Sequence, residues 1–244
     1  MIANAGHFLL FLAKLFSNRE KLRVYAQLIL DECVLIGVDS IFIVVIISTF
    51  IGGVTAIQTA HSLTSPFVPL YIIGVICRDM TVLELAPTFT GVILAGKIGS
   101  SIAGNIGTMR ITEQIDALEV MGINSASYLV LPKIIAGMIM FPLLTIVAGF
   151  LSLYGGYLAS VLTGILKSDE YVYGIRFQFE SENVLFALIK ALIFGFLITS
   201  ISAYQGYITK GGSLEVGKAS TNAVTNSCIA VLIADYVVAQ LLMS

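Results

Sequence analysis

Charged residues, cysteine and histidine are all scarce in this chain. Only 11% of its 244 residues are Asp, Glu, Lys or Arg, and the net charge is −2. No basic cluster is present, so nothing points to a nucleic-acid partner. The cysteines and histidines stand far apart in the chain, at Cys33, Cys77, Cys228, His7 and His61. This spacing argues against a disulfide framework and indicates no metal site or resident cofactor.

Long apolar runs dominate instead. Hydrophobic residues make up 57% of the chain, and the mean hydropathy is +0.97. A membrane span needs ~20 mostly apolar residues, and the runs are continuous rather than alternating as a lipid-facing barrel requires. We therefore predict an all-α, multi-pass membrane protein. The five predicted spans are 34–60, 86–106, 134–158, 184–207 and 219–243.

The first 32 residues differ from the rest of the chain. A short apolar run at 8–12 is followed by four basic residues, with no small-residue cleavage site behind it. This pattern predicts an amphipathic helix lying in the headgroup region rather than a cleaved signal. Residues 1–32 are thus expected to be interfacial and 33–244 to form the transmembrane domain. The basic residues are Lys14, Arg19, Lys21 and Arg23.

Residues 67–85 fit no span. An apolar stretch at 67–77 is too short to cross a bilayer, and Arg78, Asp79 and Glu84 follow it. We predict a re-entrant or broken helix, with a sixth span as the alternative. Arg78 and Asp79 are expected to lie in the water of the outer headgroup region.

Basic residues are distributed unevenly between the predicted loops. The positive-inside rule places the N-terminus in the cytoplasm and, with five spans, the C-terminus on the opposite side. The residues then assigned to the cytoplasmic side include Lys14, Arg19, Lys21, Arg23, Arg110, Lys133, Lys210 and Lys218.

A polar segment at 107–122, GTMRITEQIDALEVMG, lies on the cytoplasmic side between two apolar runs. Its apolar members recur every three or four residues, which predicts a short amphipathic helix. Thr112 is expected to cap the start of this helix and Gly122 to stop it. Such a helix can dock into a partner protein or rest on the lipid surface. The apolar members are Ile111, Ile115, Leu118 and Met121.

The segment GSLEVGKA at 212–219 nearly matches a phosphate-binding loop. That loop needs a hydroxyl residue at its last position and a strand before it. Ala219 stands at that position here, and a predicted membrane helix precedes the segment. We therefore expect the chain not to hydrolyse ATP.

The run AGKIGSSIAGNIGTMRITEQIDALEVMGINSASYLVLPKIIAG, at 95–137, resembles the signature of the MlaE/YrbE permeases. Further likeness lies in FIGGVTAIQ at 50–58, LELAP at 83–87 and EVGKASTNAV at 215–224. The departures from the family are Lys97 and Lys133 where Arg is usual, Asn105 where Glu is usual, and Ser125 where Pro is usual.

This resemblance implies a bacterial inner-membrane homodimer that works with an ABC ATPase and a periplasmic MCE-domain protein on phospholipid. The ATPase would bind the ATP, and residues 111–122 would be the coupling helix inserted into it. The residues expected to contact the ATPase are Arg110, Glu113, Gln114, Asp116, Leu118 and Met121.

The same resemblance implies that Glu84 lies near an outward cavity. An ionisable group within an apolar zone is a candidate functional residue. We expect the headgroup of a lipid to meet Glu84 and its tails to meet apolar neighbours. The candidate tail-binding residues are Leu85, Ile57 and Phe89. Asp39 and Asp235 also fall within predicted spans, as buried hydrogen-bonding partners or as transport residues.

Two other functions remain open on sequence grounds. A self-contained secondary transporter would show inverted repeats and paired broken helices, and the chain shows one candidate break and no repeat. A non-transporting scaffold for MCE proteins would leave the docking helix without a role.

Overall fold

A computed structural model describes residues 2–15, 22–63 and 69–243. These residues form helices and short connections, with no strand among them, which confirms the all-α prediction. Helix α1, Ile2–Lys14, packs through Phe11 against Tyr204 and Tyr207. Helix α2, Leu22–Cys33, continues through a π segment, Val34–Val38, into α3, Asp39–Ser62.

The predicted boundary at residue 32 is therefore not a break in the structure, because it falls within a continuous helix. Only α1 forms a separate N-terminal helix. The predicted basic residues Arg19 and Lys21 lie outside the described residues.

The second pass through the bundle is also one continuous helical stretch. It consists of α4, Tyr71–Met80, a π segment, Thr81–Leu85, α5, Ala86–Leu94, a second π segment, Ala95–Gly99, and α6, Ser100–Ile111. The irregularity expected near 67–85 thus takes the form of a π turn within a helix from Tyr71 onward. Residues 67 and 68 lie outside the described part. π turns frequently mark functional sites.

The rest of the chain adds five helices, two short and three long. They are α7, Gln114–Val120, α8, Ser125–Leu162, α9, Ser168–Arg176, α10, Ser181–Tyr207, and α11, Ser213–Met243. By length and composition, four helical segments of the described chain could cross a membrane: Val24–Ser62, Ser125–Leu162, Ser181–Tyr207 and Ser213–Leu241. The second predicted span, 86–106, falls in the α4–α6 stretch, which the π segments divide into shorter helices.

Helices α3 and α8 pack against each other through glycine. A Cβ added at Gly52 would overlap the backbone of Ser152, and one added at Gly155 would overlap the carbonyl oxygen of Thr49. The two backbones therefore touch directly, as in the close helix contacts that small residues permit in membranes. The Ser152 hydroxyl reinforces the contact by donating to the carbonyl of Ser48 at 2.8 Å.

The helices run back and forth between two ends of the bundle. At one end, α7 meets the end of α10 and the C-terminal residue of α1, Lys14. At the other end, α9 packs against α4, where Arg78 donates to the carbonyls of Ile175 (3.1 Å) and Phe177 (2.6 Å). Arg78 is only 4% exposed, so the prediction that it lies in headgroup water is wrong: it ties α4 to the end of α9.

Candidate functional site

The predicted coupling helix is shorter than expected. Helix α7 covers Gln114–Val120, and Glu113 precedes it with a left-handed backbone, φ 60°. The Thr112 hydroxyl donates to the carbonyl of Thr108 at 2.8 Å. Thr112 therefore closes α6 instead of capping α7, because the sharp turn at Glu113 separates its side chain from the new helix.

Gly122 ends α7 as predicted. Its φ is +79°, a region open to glycine at little cost. The amide of Gly122 donates to the carbonyl of Glu119 at 3.0 Å, and the amide of Ile123 donates to that of Leu118 at 3.1 Å. This pair of bonds is a Schellman motif, which satisfies carbonyls that a helix end would otherwise leave unpaired.

The apolar stripe of α7 divides into an inward and an outward part. Ile115 is fully buried and Leu118 is half-buried. Met121 is 66% exposed, and its neighbour Val120 is 89% exposed. Helix α7 is thus anchored to the bundle through Ile115, while its last turn presents uncovered apolar side chains.

Two of the predicted contact residues pair with each other. An Arg110 Nη1 donates to Asp116 Oδ1 at 2.6 Å, and the guanidinium lies 5.9 Å from the ring centre of Tyr207. Glu113 and Gln114 are exposed. Of the predicted set, Arg110 and Asp116 therefore fix the position of α7, while Glu113, Gln114 and Met121 face outward.

Glu119, which was not among the predicted contact residues, joins α7 to α8, α10 and α1 at this end. Its Oε1 accepts hydrogen bonds from the hydroxyls of Ser125 (2.8 Å) and Tyr207 (3.0 Å) and lies 3.7 Å from Lys14 Nζ. The hydrogen bond from Ser125 is the main reason why the pKa of Glu119 is lowered, with burial opposing it and Tyr207 assisting. The sequence feature that could have pointed to Glu119 was Ser125, which stands where the family usually has proline and donates to Glu119.

A second charged cluster lies within the helices, around Lys190. This side chain is only 5% exposed, and its Nζ lies 2.7 Å from Glu84 Oε2 and 2.9 Å from Asp235 Oδ1. It also donates to the carbonyl of Leu83 at 3.3 Å. The cluster joins the π segment Thr81–Leu85 to α10 and α11, and Glu84 keeps 49% of its side chain exposed.

Lys190 is a candidate functional residue that was not among the predicted site residues. The sequence selected Glu84 and left Asp235 open, and the structure brings both to one ammonium group. Buried charges of this kind are retained in membrane helices only when they are paired. The sequence feature that could have pointed to Lys190 was its position as a charged residue within the otherwise apolar predicted span 184–207.

The predicted lipid-tail residues lie partly exposed on the surface of the described bundle. Ile57 and Phe89 are 42% and 46% exposed, and Leu85 is half-buried. An apolar cavity of about 200 Å³ lies nearby, between α5, α8 and α10. Its lining includes Val82, Ala86, Phe150, Leu153 and Leu188, and none of the predicted residues.

Two further lysines, within or next to the predicted spans, each meet a partner far away in the sequence. Lys97 donates to the backbone carbonyl of Asp39, and Lys133 forms a largely buried ion pair with Glu32. Both lysines stand where the family usually has arginine. Among the described residues each has one partner, which a single ammonium can satisfy without the paired hydrogen bonds of a guanidinium.

A sequence model of one family, described as permease MlaE, matches residues 29–241. The chain belongs to the MlaE permease family.

Named relatives agree with this membership. A probable ABC transporter permease protein of Rickettsia bellii is 36% identical over 236 residues, which cover 97% of this chain and 91% of the relative. A probable ABC transporter permease protein of Synechocystis is 33% identical over 220 residues, covering 90% and 83%. The chloroplastic protein TRIGALACTOSYLDIACYLGLYCEROL 1 of Arabidopsis thaliana is 32% identical over 213 residues, covering 84% and 58%. The chain is thus an ABC transporter permease with several membrane-crossing helices.

Proposed function

We propose that this MlaE-family permease moves phospholipid, or a related lipid, between the bacterial inner membrane and a periplasmic MCE-domain protein. A homodimer would form the membrane core, and a separate ATPase would bind ATP and dock on α7. The N-terminus and α7 would face the cytoplasm, and the C-terminus would face the periplasm. The observation that carries this proposal is the exposed last turn of α7 on a helix otherwise held firmly to the bundle.

Helix α7 is built to transmit a displacement. Arg110 ties it to α6 through Asp116, and Glu119 ties it to α8 and α10 through Ser125 and Tyr207. A partner that moves α7 therefore moves three long helical stretches with it. Uncovered apolar side chains beside acidic groups are the features that let a short helix dock in a partner's groove.

The cluster around Lys190 supports a lipid as the transported molecule. Lys190 and Asp235 are buried, whereas Glu84 is half exposed, and Phe89, an exposed apolar residue, follows in the same helical stretch. A polar group next to an apolar surface matches the headgroup and tails of a lipid. The name of the Arabidopsis relative refers to a diacylglycerol lipid, which favours the same class of substrate.

The first experiment tests the docking of the ATPase. The tagged chain is purified from its native membranes in mild detergent, and the co-purified ABC ATPase is quantified by mass spectrometry. Met121→Asp places a charge on the exposed apolar turn and is expected to lower ATPase recovery by about tenfold or more, since central interface residues dominate binding. The matched control is Leu214→Asp, because Leu214 is also exposed (73%) and starts α11.

Equal ATPase recovery with Met121→Asp and wild type would remove α7 as the docking helix. Recovery of the wild-type chain alone, with no ATPase, would favour a secondary transporter or a scaffold.

The second experiment tests the lipid. The purified complex is reconstituted in vesicles with a fluorescent phospholipid, and ATP-dependent transfer to the MCE protein is followed. Glu84→Gln is expected to slow transfer, while Glu215→Gln, at an exposed pair with Lys218, leaves it unchanged. Unaltered transfer with Glu84→Gln would exclude Glu84 from the lipid path.

A further inference from the structure

A cavity of about 550 Å³ lies at the α7 end of the bundle, apart from the cluster around Lys190. It is bounded by α1, the end of α6, the end of α10 and the connection that follows α10. Its polar lining consists of four basic residues and two tyrosines: His7, Lys14, Arg110, Lys210, Tyr204 and Tyr207.

Basic groups outnumber acidic groups around this cavity. Asp116 pairs with Arg110, and Glu119 lies 3.7 Å from Lys14, a pair whose side chains are 53% (Lys14) and 43% (Glu119) exposed. Lys210 forms no ion pair with any described residue and is exposed. The cavity lining itself contains no Asp or Glu. A compact anion could therefore gain contacts here that no carboxylate of the described chain supplies.

Helix α1 places the cavity at the level of lipid headgroups. Leu9 and Leu10 are 65% and 68% exposed, and an amphipathic helix with such a face lies in the membrane interface. The opposite face packs on the last turns of α10, where Phe11 lies 5.4 Å from Tyr204 and 5.1 Å from Tyr207 between ring centres. Tyrosines at the end of a membrane-crossing helix mark the same level.

We propose that this cavity binds the phosphate of an anionic phospholipid from the leaflet that surrounds α1. Basic pockets between membrane helices at the cytoplasmic surface recognise such headgroups. The phosphate would lie between Lys210 and Arg110, with its acyl chains beside Leu10. Because Arg110 also holds Asp116 of α7, the bound lipid would stabilise the docking helix in its present position. This site is separate from the path of the transported lipid.

The absence of tryptophan from the chain allows a direct test. Ile208 lines the cavity and is 45% exposed, so Ile208→Trp places the chain's single tryptophan at the site, and this residue can be excited selectively over the ten tyrosines. The purified full chain is reconstituted in bilayers in which either phosphatidylglycerol or phosphatidylcholine carries bromine, which quenches tryptophan. We expect phosphatidylglycerol to quench more strongly. Adding Lys210→Gln is expected to lower this preference about fivefold, the equivalent of about 1 kcal/mol for one basic residue near the surface.

Lys218→Gln is the matched control. Lys218 lies near the start of α11, soon after the end of α10, but outside the cavity, and it pairs with Glu215. A preference for phosphatidylglycerol that Lys218→Gln leaves unchanged supports the site. Equal losses from Lys210→Gln and Lys218→Gln would overturn it, because general surface potential would then explain the preference. Equal quenching by the two lipids in the parent variant would overturn it as well.

Two further arms separate the possible sources of the anion. Inorganic phosphate is added against chloride at equal ionic strength; loss of the preference with phosphate alone would assign the cavity to a soluble anion and overturn the lipid. Native mass spectrometry of the chain without the tryptophan substitution counts retained phosphatidylglycerol, and we expect less of it only with Lys210→Gln. Neither measurement needs the ATPase or transport, so failure here is distinct from failure of the proposed function.

Discussion

The interior of the bundle and its α7 end use the same charged residue types in opposite ways. Inside, Lys190 is 5% exposed and has two carboxylates within 2.9 Å. At the α7 end, Arg110 and Asp116 are 29% and 55% exposed and form an ion pair with each other. Lys190 and Asp235 are thus almost closed to the surroundings and Glu84 gives the cluster an open side, whereas both partners of the Arg110–Asp116 pair remain open to other molecules.

This difference in exposure implies different contributions to stability. A buried charge that loses its partner is strongly destabilising, while an exposed ion pair contributes little. The interior cluster therefore holds α10 and α11 to the π segment Thr81–Leu85. At the α7 end, the exposed last turn of α7 remains free to contact a partner. Substitutions at both regions can test this contrast.

The largest effect is expected from Lys190→Met. It leaves Asp235, whose side chain is 10% exposed, without its cation, so we expect a loss of about 3–5 kcal/mol in unfolding free energy. Unfolding in detergent micelles measures it. Lys218→Met, which breaks an exposed pair with Glu215, is the control and should change stability by less than ~1 kcal/mol. Similar losses for the two variants would remove the contrast.

Gly155→Ala is expected to have the next largest effect. The new methyl group would overlap the carbonyl of Thr49 across the α3–α8 contact, and overpacking of this kind costs about 1–3 kcal/mol. The same unfolding measurement applies. Gly217→Ala adds a methyl group in open space on α11 and should be neutral or stabilising by up to ~1 kcal/mol. A neutral Gly155→Ala would mean that the two backbones do not touch.

Glu119→Gln sharpens the comparison at the α7 end. We expect a loss of about 1 kcal/mol at neutral pH, because the charged acceptor for Ser125 and Tyr207 disappears. Since the pKa of Glu119 is lowered in the folded protein, chiefly by Ser125, its contribution is complete above its ordinary value of 4.5 and is lost as the pH falls through the folded pKa. The difference between wild type and variant should therefore shrink below about pH 4.5. A constant difference down to acid pH would contradict the role of the carboxylate.

The smallest effect is expected from Ser125→Pro, which restores the residue usual in the family. Ser125 is the first residue of α8, a position that favours proline. The residue before it, Asn124, has φ −70° and ψ 95°, an extended conformation that suits a residue preceding proline. Loss of the hydroxyl is partly offset by about 0.4–1 kcal/mol from the stiffer unfolded chain. Ser125→Ala lacks this compensation and should be less stable than Ser125→Pro in the same measurement. The reverse order would show that the hydroxyl contributes little.

Local patterns predicted α7 well at its end and poorly at its start. The spacing of Ile115 identified the buried face, and Gly122 identified the stop, because both depend on residues a few positions apart. The cap at Thr112 was mispredicted because the hydroxyl finds a partner one turn back in α6. Two local hydrogen-bonding choices competed, and the sequence does not rank them.

The sequence by itself determined the membrane class, the helical passes and the polar helix between two of them, since hydropathy and helical periodicity are local properties. Only the tertiary structure decided which charges meet. Lys190 and Glu84 are 106 positions apart, and Glu119 and Tyr207 are 88 apart. Such pairs form only after the helices have packed, because packing brings residues from distant parts of the sequence together and removes water from around them.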